Sequence, residues 1–527
     1  MSFLHSHPVL RSAFVALCSA GYAAGLLFGG SAPARTLPPS VYDIWHAGME
    51  TDSAEPYSVS IPDLDPAEAA ILREAERGPM PKGASFSHER AGFSGTGYIE
   101  HLPAETESAV TYTLDVPHTQ HYSVTFCFGT DVPVACAWRL NGELQQEFTV
   151  EASENFTRIT FYGIFIEKGK AQLSLDTLSG SPEIDYIELN DDSSLYHAKS
   201  DPDSAPCDPD ASPETRRLYR FLRENWGKHI LTGQYVSDSK NRELDTIYQL
   251  TGQLPAIRFG AFGTGEDLAA AETAIDWSLY MKGIVGMMWH WNAPNSDSVY
   301  AKEVSFNLRK AVCGLDAEKT ALLSAEEIAA KDTLPAETKA ILADIDHTAE
   351  YLEILCNMDI PVLWRPLHEA SGGWYWWGAA GEEAYCQLWK LLYYRLSAYH
   401  GLHNLIWIWN GQSAEYQVPP DLYDIASADV YLSPQTPYGS RYEQFLSLQR
   451  ITRGRKMLAL SECSSLPSLS RMELDRSLWS FYGTWYGQYL MNPDGSFCDR
   501  YYTSNDLCNM YNCELSLTLK GFLAEYQ

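Results

Sequence analysis

One segment constrains this chain more than any other: an apolar strand at 360–363 that continues into a polar and aromatic run at 364–378. The run contains Arg365, His368 and Glu369 together with four tryptophans. In a parallel barrel, charged and polar side chains at the C-terminal end of a strand line the active face, and this segment has that pattern. The competing interpretation is an ordinary core strand with packed tryptophans, and a second strand argues against it.

That second apolar strand, 456–463, also carries a carboxylate at its end, that of Glu462. Parallel strands of one barrel end at a common rim, so Glu369 and Glu462 are predicted to face each other. One carboxyl group can then protonate a leaving oxygen while the other attacks the carbon, which is the chemistry of glycosidic bond cleavage. The tryptophans of 364–378 suit stacking on the apolar faces of sugar rings.

The region before these strands has a different pattern. From about 85 to 190, short alternating strands and a turn at Asn141-Gly142 are typical of a β-sandwich. The stretch 191–213 is rich in Asp, Ser and Pro and has no periodicity that would bury a face, so it is predicted to be a linker. A chain of 527 residues has room for two or three domains. The predicted division is a signal peptide at 1–34, a sandwich at 35–190, a linker at 191–212 and a catalytic domain at 213–527.

After the linker, strand-like segments alternate with helical ones. Eight such strands over roughly 300 residues are typical of a (β/α)8 barrel. The predicted fold class is therefore α/β, a (β/α)8 TIM barrel preceded by an all-β sandwich domain. The segment 296–340 is long for a simple connection and is predicted to carry extra helices. The eight predicted strands are 229–234, 255–259, 283–291, 361–369, 405–410, 425–432, 456–462 and 482–485.

Charge limits the partners of the chain. It has 68 acidic and 38 basic residues, a formal net charge of -30. Binding to phosphate groups requires clustered Lys and Arg, so the sequence predicts no nucleic-acid partner and no anionic membrane partner. A neutral polysaccharide would not be repelled. Aromatic residues make up 13% of the chain and favour sugar binding.

The N-terminus has the pattern of a secretory signal. Arg11 precedes an apolar stretch at 13–28, and the small residues at 32–34 predict cleavage after Ala34. A membrane anchor is the alternative, but the stretch is rich in Gly and Ala and only marginally long enough to span a bilayer. Lipidation of Cys18 is a further alternative, which the bulky Leu17 disfavours. We therefore expect a secreted protein without stable membrane insertion.

Cysteine spacing gives no metal site. The ten cysteines after Cys18 include no C-x-x-C pair of the kind that binds zinc. Export would permit disulfides, and Cys127 and Cys136 could bridge neighbouring strands. The sequence assigns no pairing.

The run 364–378 resembles the acid/base segment of glycoside hydrolase family 26, a family dominated by β-mannanases. The resemblance extends from about 213 to the C-terminus, because supporting segments follow in the family's order. It implies a retaining mechanism in which Glu369 is the general acid/base and Glu462 the nucleophile. The supporting segments are 231–234, 289–291, 405–410, 429–431 and 461–463.

Other roles follow from the same resemblance. His368 and His290 are expected to contact the sugar at the cleavage site, and Tyr431 to donate a hydrogen bond to Glu462. Trp374 and Trp485 are expected to be sugar platforms. For each of these residues the alternative is a structural role, as a hydrogen-bonded histidine or a packed aromatic ring in the core.

Two further positions are interpreted with the resemblance in view. Arg365 could equally be the partner in a structural ion pair. The segment 255–260 departs from the family pattern, because an acidic residue commonly follows this strand, and outer substrate contacts there are not carried over.

The N-terminal region resembles carbohydrate-binding modules of family 35 through 92–98 and 184–187. Such modules often hold structural calcium in loops between strands, although the usual early acidic ligand does not stand out here. The resemblance implies either glycan binding or packing on the barrel. The resemblance of the barrel region to family 26 implies that catalysis requires no metal and no cofactor.

The resemblance points to a secreted endo-β-1,4-mannanase acting on β-mannan, glucomannan or galactomannan. The alternatives are β-1,3-1,4-glucanase or β-1,3-xylanase activity within the same family. From a different class, a non-catalytic glycan-binding protein would need no paired carboxylates such as Glu369 and Glu462.

Overall fold

The computed structural model describes residues 57–102, 106–192, 200–237 and 240–526, together with Tyr42 and Trp45. These residues form two compact units: one spans 60–198 with 473–476, and the other takes in the remainder. The predicted signal peptide at 1–34, including Cys18, lies outside the described residues. None of the helices in the described ranges combines the length and apolarity needed to cross a bilayer.

The N-terminal unit consists of two antiparallel sheets. One has the strand order β2-β3-β10-β5-β8, with β1 also pairing with β10, and the other has the order β4-β9-β6-β7. An all-β domain before the barrel is thus confirmed. Its strands are β1 (Ala70–Glu74), β2 (Ser85–Ser87), β3 (Tyr98–Glu100), β4 (Thr106–Val116), β5 (Gln120–Thr130), β6 (Val134–Leu140), β7 (Glu143–Val150), β8 (Ser153–Ile166), β9 (Gly169–Ser179) and β10 (Glu183–Asp191).

The core of this unit is aromatic. The Trp138 ring lies 5.8 Å from that of Phe126 and 5.3 Å from that of Phe161, measured between centroids. The predicted turn at Asn141-Gly142 joins β6 to β7, and both residues have positive φ, as a tight hairpin turn requires. Cys127 on β5 and Cys136 on β6 belong to different sheets. Both thiols are free and buried, so the bridge suggested by the sequence is not formed.

The second unit contains a closed parallel barrel of eight strands in the order β12 to β19. Every predicted strand overlaps one of them, which confirms the TIM barrel. A separate parallel pair is formed by β11 (Ile230–Leu231) and β20 (Ser516–Leu517). The barrel strands are β12 (Gly233–Tyr235), β13 (Ile257–Phe262), β14 (Ile284–Trp289), β15 (Val362–Arg365), β16 (Leu405–Trp409), β17 (Ile425–Val430), β18 (Met457–Cys463) and β19 (Tyr482–Thr484).

Helices connect the barrel strands. The first begins after Ser212, whose side chain caps it by accepting from the Thr215 N–H. The segment predicted to carry extra helices contains α4, α5 and α6. The helices are α1 (Pro213–Asn225), α2 (Arg242–Thr251), α3 (Asp267–Ile275), α4 (Leu308–Val312), α5 (Ala317–Ala321), α6 (Ala325–Ala330), α7 (Ala336–Cys356), α8 (Trp376–Ala379), α9 (Glu382–Tyr394), α10 (Tyr442–Thr452), α11 (Leu469–Asp475), α12 (Ser504–Tyr511) and α13 (Leu519–Glu525).

The predicted linker 191–212 is bound to neighbouring structure at both ends. Asp191 ends β10, and residues 200–212 are fixed to the barrel unit by hydrogen bonds. Asp203 accepts from Lys456 at 2.8 Å, and the Cys207 N–H donates to Asp424 at 2.6 Å. Hydrophobic periodicity could not predict this attachment, because the attachment consists of hydrogen bonds between polar groups.

Candidate active site

The two predicted glutamates come together at the C-terminal rim of the barrel. Glu369 follows β15, and Glu462 lies in the last residues of β18. One carboxylate oxygen from each, together with one from Asp429, forms a group whose atoms lie within 4.8 Å of one another. Strand register is irregular between β17 and β18 just before Asp429, and irregularities of this kind change where a side chain points.

The chain around Glu369 has an unusual backbone. Glu369 has a φ of 53° and Leu367 a φ of 52°, both in the left-handed region. The Glu369 N–H donates to Asn410 Oδ1 at 2.7 Å. The Trp377 indole donates to the His368 carbonyl at 2.8 Å. These bonds from neighbouring elements hold a turn that costs free energy, so the carboxyl group of Glu369 has a defined position.

The carboxyl group of Glu369 favours its protonated form. Burial raises its pKa to about 7, and the charge of Asp429 acts in the same direction. Arg365 and a hydrogen bond from Trp374 act in the opposite direction. That bond runs from the indole Nε1 of Trp374 to Oε2 at 2.9 Å. A carboxyl group with a pKa near 7 can donate a proton at neutral pH and take one back.

Glu462 is held at both oxygens. The Tyr431 hydroxyl donates to Oε2 at 2.6 Å, and Arg365 Nη2 donates to Oε1. Burial raises the pKa of this carboxyl group, Glu369 adds to that effect, and Arg365 opposes it. Of the two glutamates, Glu462 is the one paired with the guanidinium. The shared proton therefore belongs on Glu369, and Glu462 is the anion.

Asp429 is a buried acid that the sequence did not single out. It accepts from Arg365 Nη1 at 2.8 Å, from the Ser461 hydroxyl at 2.6 Å and from Asn410 Nδ2 at 3.2 Å. Burial raises its pKa to about 7, against the opposing effect of Arg365. Asp429 is two positions before Tyr431, and period-2 alternation along the strand was the one signal that could have placed both side chains at the same rim.

Two predicted histidines lie side by side. The ring centroids of His290 and His368 are 5.5 Å apart. Burial and the nearby Arg365 charge lower the pKa of His290 to about 4, and the same causes lower the pKa of His368 well below its usual value. Both rings are therefore neutral at physiological pH. The Nδ1 of His368 is buried and has no hydrogen-bond partner among the described residues.

The aromatic residues of the site divide by exposure. Trp374 is 47% exposed, whereas Trp364, Trp376 and Trp377 are buried. Trp485 is half-buried, and its ring centroid lies 6.3 Å from that of His290. Trp374 and Trp485 can therefore present ring faces to a ligand, and the other three tryptophans of 364–378 are core.

The three carboxylates raise the question of a metal ion. Among the described residues, Glu369, Asp429 and Glu462 are the only acidic or His/Cys group spaced closely enough to hold one. Arg365 already donates to both Asp429 and Glu462. Its guanidinium supplies the positive charge that a cation would bring, so the donor set does not fit a metal.

In the N-terminal unit, acidic side chains converge on the loop 92–98. The Ser94 hydroxyl donates to Glu74 at 2.6 Å, and its N–H lies 3.0 Å from both Asp185 oxygens. The Thr96 N–H and hydroxyl donate to Glu76, whose Oε2 is buried with no partner among the described residues. Carboxylate oxygens are ligands that calcium prefers, but these are spaced more widely than the oxygens of the barrel group. Glu74 and Glu76 precede this loop in sequence, and the sequence analysis did not single them out.

Comparison with known proteins agrees with this geometry. The sequence profile described as glycosyl hydrolase family 26 matches residues 207–498. A mannan endo-1,4-beta-mannosidase B from Piromyces sp is 29% identical over 463 residues, which cover 84% of this chain and 76% of that protein. A mannan endo-1,4-beta-mannosidase from Thermothelomyces thermophilus is 28% identical, over 82% of this chain and 88% of that protein.

Solved structures of β-mannanases are also similar to this chain. A GH26-CBM35 beta-(1,4)-mannanase from Podospora anserina has a TM-score of 0.56 and 27% identity, covering 87% of this chain and 99% of that one. A beta-mannanase from a symbiotic protist of the termite Reticulitermes speratus, complexed with gluco-manno-oligosaccharide, has a TM-score of 0.52 and 28% identity. It covers 61% of this chain and 98% of that one.

Proposed function

The chain belongs to glycosyl hydrolase family 26 and is a glycoside hydrolase, and on that premise we propose that it is a secreted, retaining endo-β-1,4-mannanase. Its substrates are β-mannan, glucomannan and galactomannan. The activity of the relatives supports this assignment, because they are mannan endo-1,4-beta-mannosidases matched over most of their length.

The spacing of the two glutamates carries the proposed mechanism. Their carboxylate oxygens lie within 4.8 Å of each other. Retaining glycosidases have carboxyl groups about 5–5.5 Å apart, whereas inverting enzymes need about 6.5–9.5 Å to admit a water molecule. This oxygen-to-oxygen spacing supports the retaining arrangement, in which the second carboxylate attacks directly.

In the first step, Glu462 attacks the anomeric carbon and the glycosidic bond breaks. The proton of Glu369 passes to the leaving oxygen, so the aglycone departs as an alcohol and Glu369 becomes a carboxylate. Tyr431 and Arg365 orient the attacking carboxylate by hydrogen bonds to its two oxygens. The product is a glycosyl ester of Glu462.

In the second step, Glu369 takes a proton from water and the resulting oxygen nucleophile attacks the anomeric carbon. The bond to Glu462 breaks, and its carboxylate is restored. While the ester exists, Glu462 has no charge, so the two carboxylates no longer repel each other and Glu369 can lose its proton and act as the base. The same residue is thus acid in one step and base in the next.

Substrate contacts follow from the neutral and exposed groups of the site. His290 and His368 can hydrogen-bond sugar hydroxyls without adding charge. Trp374 is the platform for the leaving side, because its indole also contacts the acid/base Glu369. Trp485, next to His290, is the platform beside the cleaved sugar.

The N-terminal unit is proposed as a family 35 carbohydrate-binding-like module, with the whole chain exported after removal of 1–34. Glu74, Glu76 and Asp185 are its proposed calcium ligands. Calcium should raise the unfolding temperature of the wild-type chain in the transition that belongs to this module. Asp185→Asn should remove that shift, and a shift that survives in the variant would contradict the ligand set.

A panel of polysaccharides tests the proposed activity. Mannan, glucomannan, galactomannan, lichenan and β-1,3-xylan are incubated with the enzyme, product sizes are followed with time, and the first anomer released is identified by NMR. Long products from mannans at early times, with retained β configuration, support the proposal. Preferred cleavage of lichenan or β-1,3-xylan would assign one of the alternative activities. Binding without cleavage would make the protein a glycan-binding protein.

A further inference from the structure

A cavity of about 340 Å³ in the barrel unit is separate from the residues assigned above. Its walls come from 435–439, from 465–470, from the segment that contains Tyr501 and helix α12, and from Tyr57. The first two segments follow β17 and β18. Since loops after parallel strands emerge at the C-terminal rim, the cavity lies on the same face of the barrel as the two glutamates.

A row of tyrosine rings connects the nucleophile to this cavity. Tyr431, which donates to Glu462, has its ring centroid 5.4 Å from that of Tyr489. Tyr489 lies 4.8 Å from Tyr501, which lines the cavity. The cavity is therefore two ring contacts beyond the residue that orients the nucleophile.

The cavity borders the strand ends that carry Tyr431 and Glu462, because two of its wall segments follow β17 and β18. Trp374 contacts Glu369, the proton donor to the leaving oxygen, and both follow β15. Tyr431 and Glu462, which contact the sugar that stays on the enzyme, belong to the β17 and β18 side. The row from Tyr431 to the cavity thus extends from the glycone side of the cleaved bond.

The chemistry of the wall suits a neutral, hydroxylated ligand. The lining contains tyrosine rings, serine hydroxyls and the side chains of Gln435 and Asn509, with one acidic residue and no Lys, Arg or His. Tyr57 is 40% exposed at this wall. A phosphate or carboxylate ligand would meet no cation here, whereas aromatic faces beside amide and hydroxyl groups are suited to sugars. A volume near the lower end of the usual range for small-molecule sites, about 300–1,000 Å³, favours a short saccharide.

Resting on the proposed function, we propose that this cavity is a distal glycone subsite. It binds a main-chain sugar residue of the polysaccharide that lies beyond the two glycone units nearest the cleaved bond. Tyr57 contributes from a segment that precedes the β-sandwich in sequence: its N–H donates to the Asn512 carbonyl at 2.8 Å, which fixes it beside α12. The subsite is thus built partly from chain outside the family match at 207–498.

The test compares a short substrate with a long one. Tyr57→Ala and Asn509→Ala are made in the full chain, with the exposed Tyr280→Ala as the matched control. A short aryl β-mannobioside cannot reach the cavity from the cleaved bond, whereas unbranched mannohexaose can. Loss of one neutral hydrogen bond or ring contact predicts a roughly three- to ten-fold lower kcat/KM on mannohexaose. The effect should lie in KM, with the aryl substrate and the control variant unchanged.

Three outcomes would overturn the subsite. These are equal losses on both substrates, no loss on either, and a loss that appears only with galactose-branched oligosaccharides. The last would make the occupant a side branch in place of the main chain. Failure of the proposed function is separate, because it would appear in the wild-type enzyme as an absence of mannohexaose cleavage.

Discussion

The indole of Trp374 donates a hydrogen bond of 2.9 Å to Oε2 of Glu369, so the proposed aromatic platform and the proposed proton donor are in direct contact. A donor aimed at a carboxylate stabilises its charged form. The same contact brings a ring that can stack on the leaving sugar to the group that protonates the leaving oxygen. Substrate binding and proton transfer are thereby coupled at this edge of the site.

Trp374→Phe should move the alkaline limb of the pH profile upward. Glu369 must hold its proton in the first step, and its pKa of about 7 places the loss of activity above neutral pH. Phenylalanine keeps a ring but cannot donate, so the carboxylate loses a stabilising bond and the pKa rises. The measurement is kcat/KM against pH on an unactivated oligosaccharide. Tyr300→Phe, an exposed tyrosine on a neighbouring loop, is the control and should leave the limb in place.

Asp429→Asn should move the same limb in the opposite direction. The negative charge of Asp429 raises the pKa of Glu369, and asparagine removes that charge while keeping the side-chain shape. The positive charge of Arg365 would then be paired with Glu462 alone. The stronger ion pair should make the Glu462 carboxylate a weaker nucleophile. We expect lower kcat together with an alkaline limb at lower pH. Asp421→Asn, at an exposed carboxylate, should change neither. A limb that stays in place in Asp429→Asn would show that this charge does not set the pKa of Glu369.

The geometry after β15 depends on close packing of its backbone. A Cβ on Gly378 would lie 2.1 Å from the Ala370 carbonyl oxygen, a contact that the chain can relieve only by moving the turn after Glu369. Gly378→Ala should therefore lower both the unfolding temperature and kcat. Gly521→Ala meets only a leucine methyl group at 3.2 Å and should be tolerated. Thermal unfolding and kcat of the two variants, measured together, check this. Normal activity in Gly378→Ala would mean that the turn does not position Glu369.

Excision of the N-terminal unit needs boundaries different from those the sequence suggested. Deleting 35–210 would also remove Tyr57 and the segment 200–210, which hydrogen-bond to the barrel unit. Replacing 60–198 by a flexible Gly/Ser linker should keep hydrolysis of short soluble oligosaccharides largely intact, whereas the longer deletion should lower the unfolding temperature of the barrel. Initial rates and melting curves of both variants decide between them. If the 60–198 replacement folds but is inactive, the module is needed to complete the active site.

Much of the barrel was predictable because strands such as β14 and β16 are short apolar runs that the core requires. The strands of the β-sandwich were only partly predictable from the sequence. Strand β7, Glu143–Val150, is mostly polar and exposed, and it lies at the edge of its sheet, so alternation of hydrophobic residues does not mark it. Polar edge strands carry little sequence signal, whereas buried strands such as β5 carry a strong one.

The site was predictable to the extent that single segments carry it. Glu369 and Glu462 stand at the ends of recognisable strands, but the bonds of Asp429 to Arg365, Ser461 and Asn410 join side chains from four strand ends. Spacing along the chain does not give the register between β15, β16, β17 and β18. Without that register the contacts of a buried polar network cannot be worked out from sequence.

The roles of the two glutamates can be separated by chemical rescue. Glu462→Ala removes the nucleophile, so turnover should nearly vanish on every substrate. Azide should then enter the space left by the side chain and give a glycosyl azide of inverted configuration. Glu369→Ala removes only protonation and later base assistance. An activated aryl glycoside needs little protonation, so its first step should proceed and the glycosyl ester on Glu462 should accumulate.

Azide should intercept that ester and give a product of retained configuration, identified by NMR, with the ester itself detected by mass spectrometry. Asp421→Ala, at an exposed acid, serves as the control for azide effects on folding and assay. Opposite configurations from the two variants follow only if Glu462 forms the covalent bond and Glu369 transfers the proton. Equal loss of activity on activated substrates in both variants, with no rescue by azide in either, would mean that the two roles are assigned wrongly.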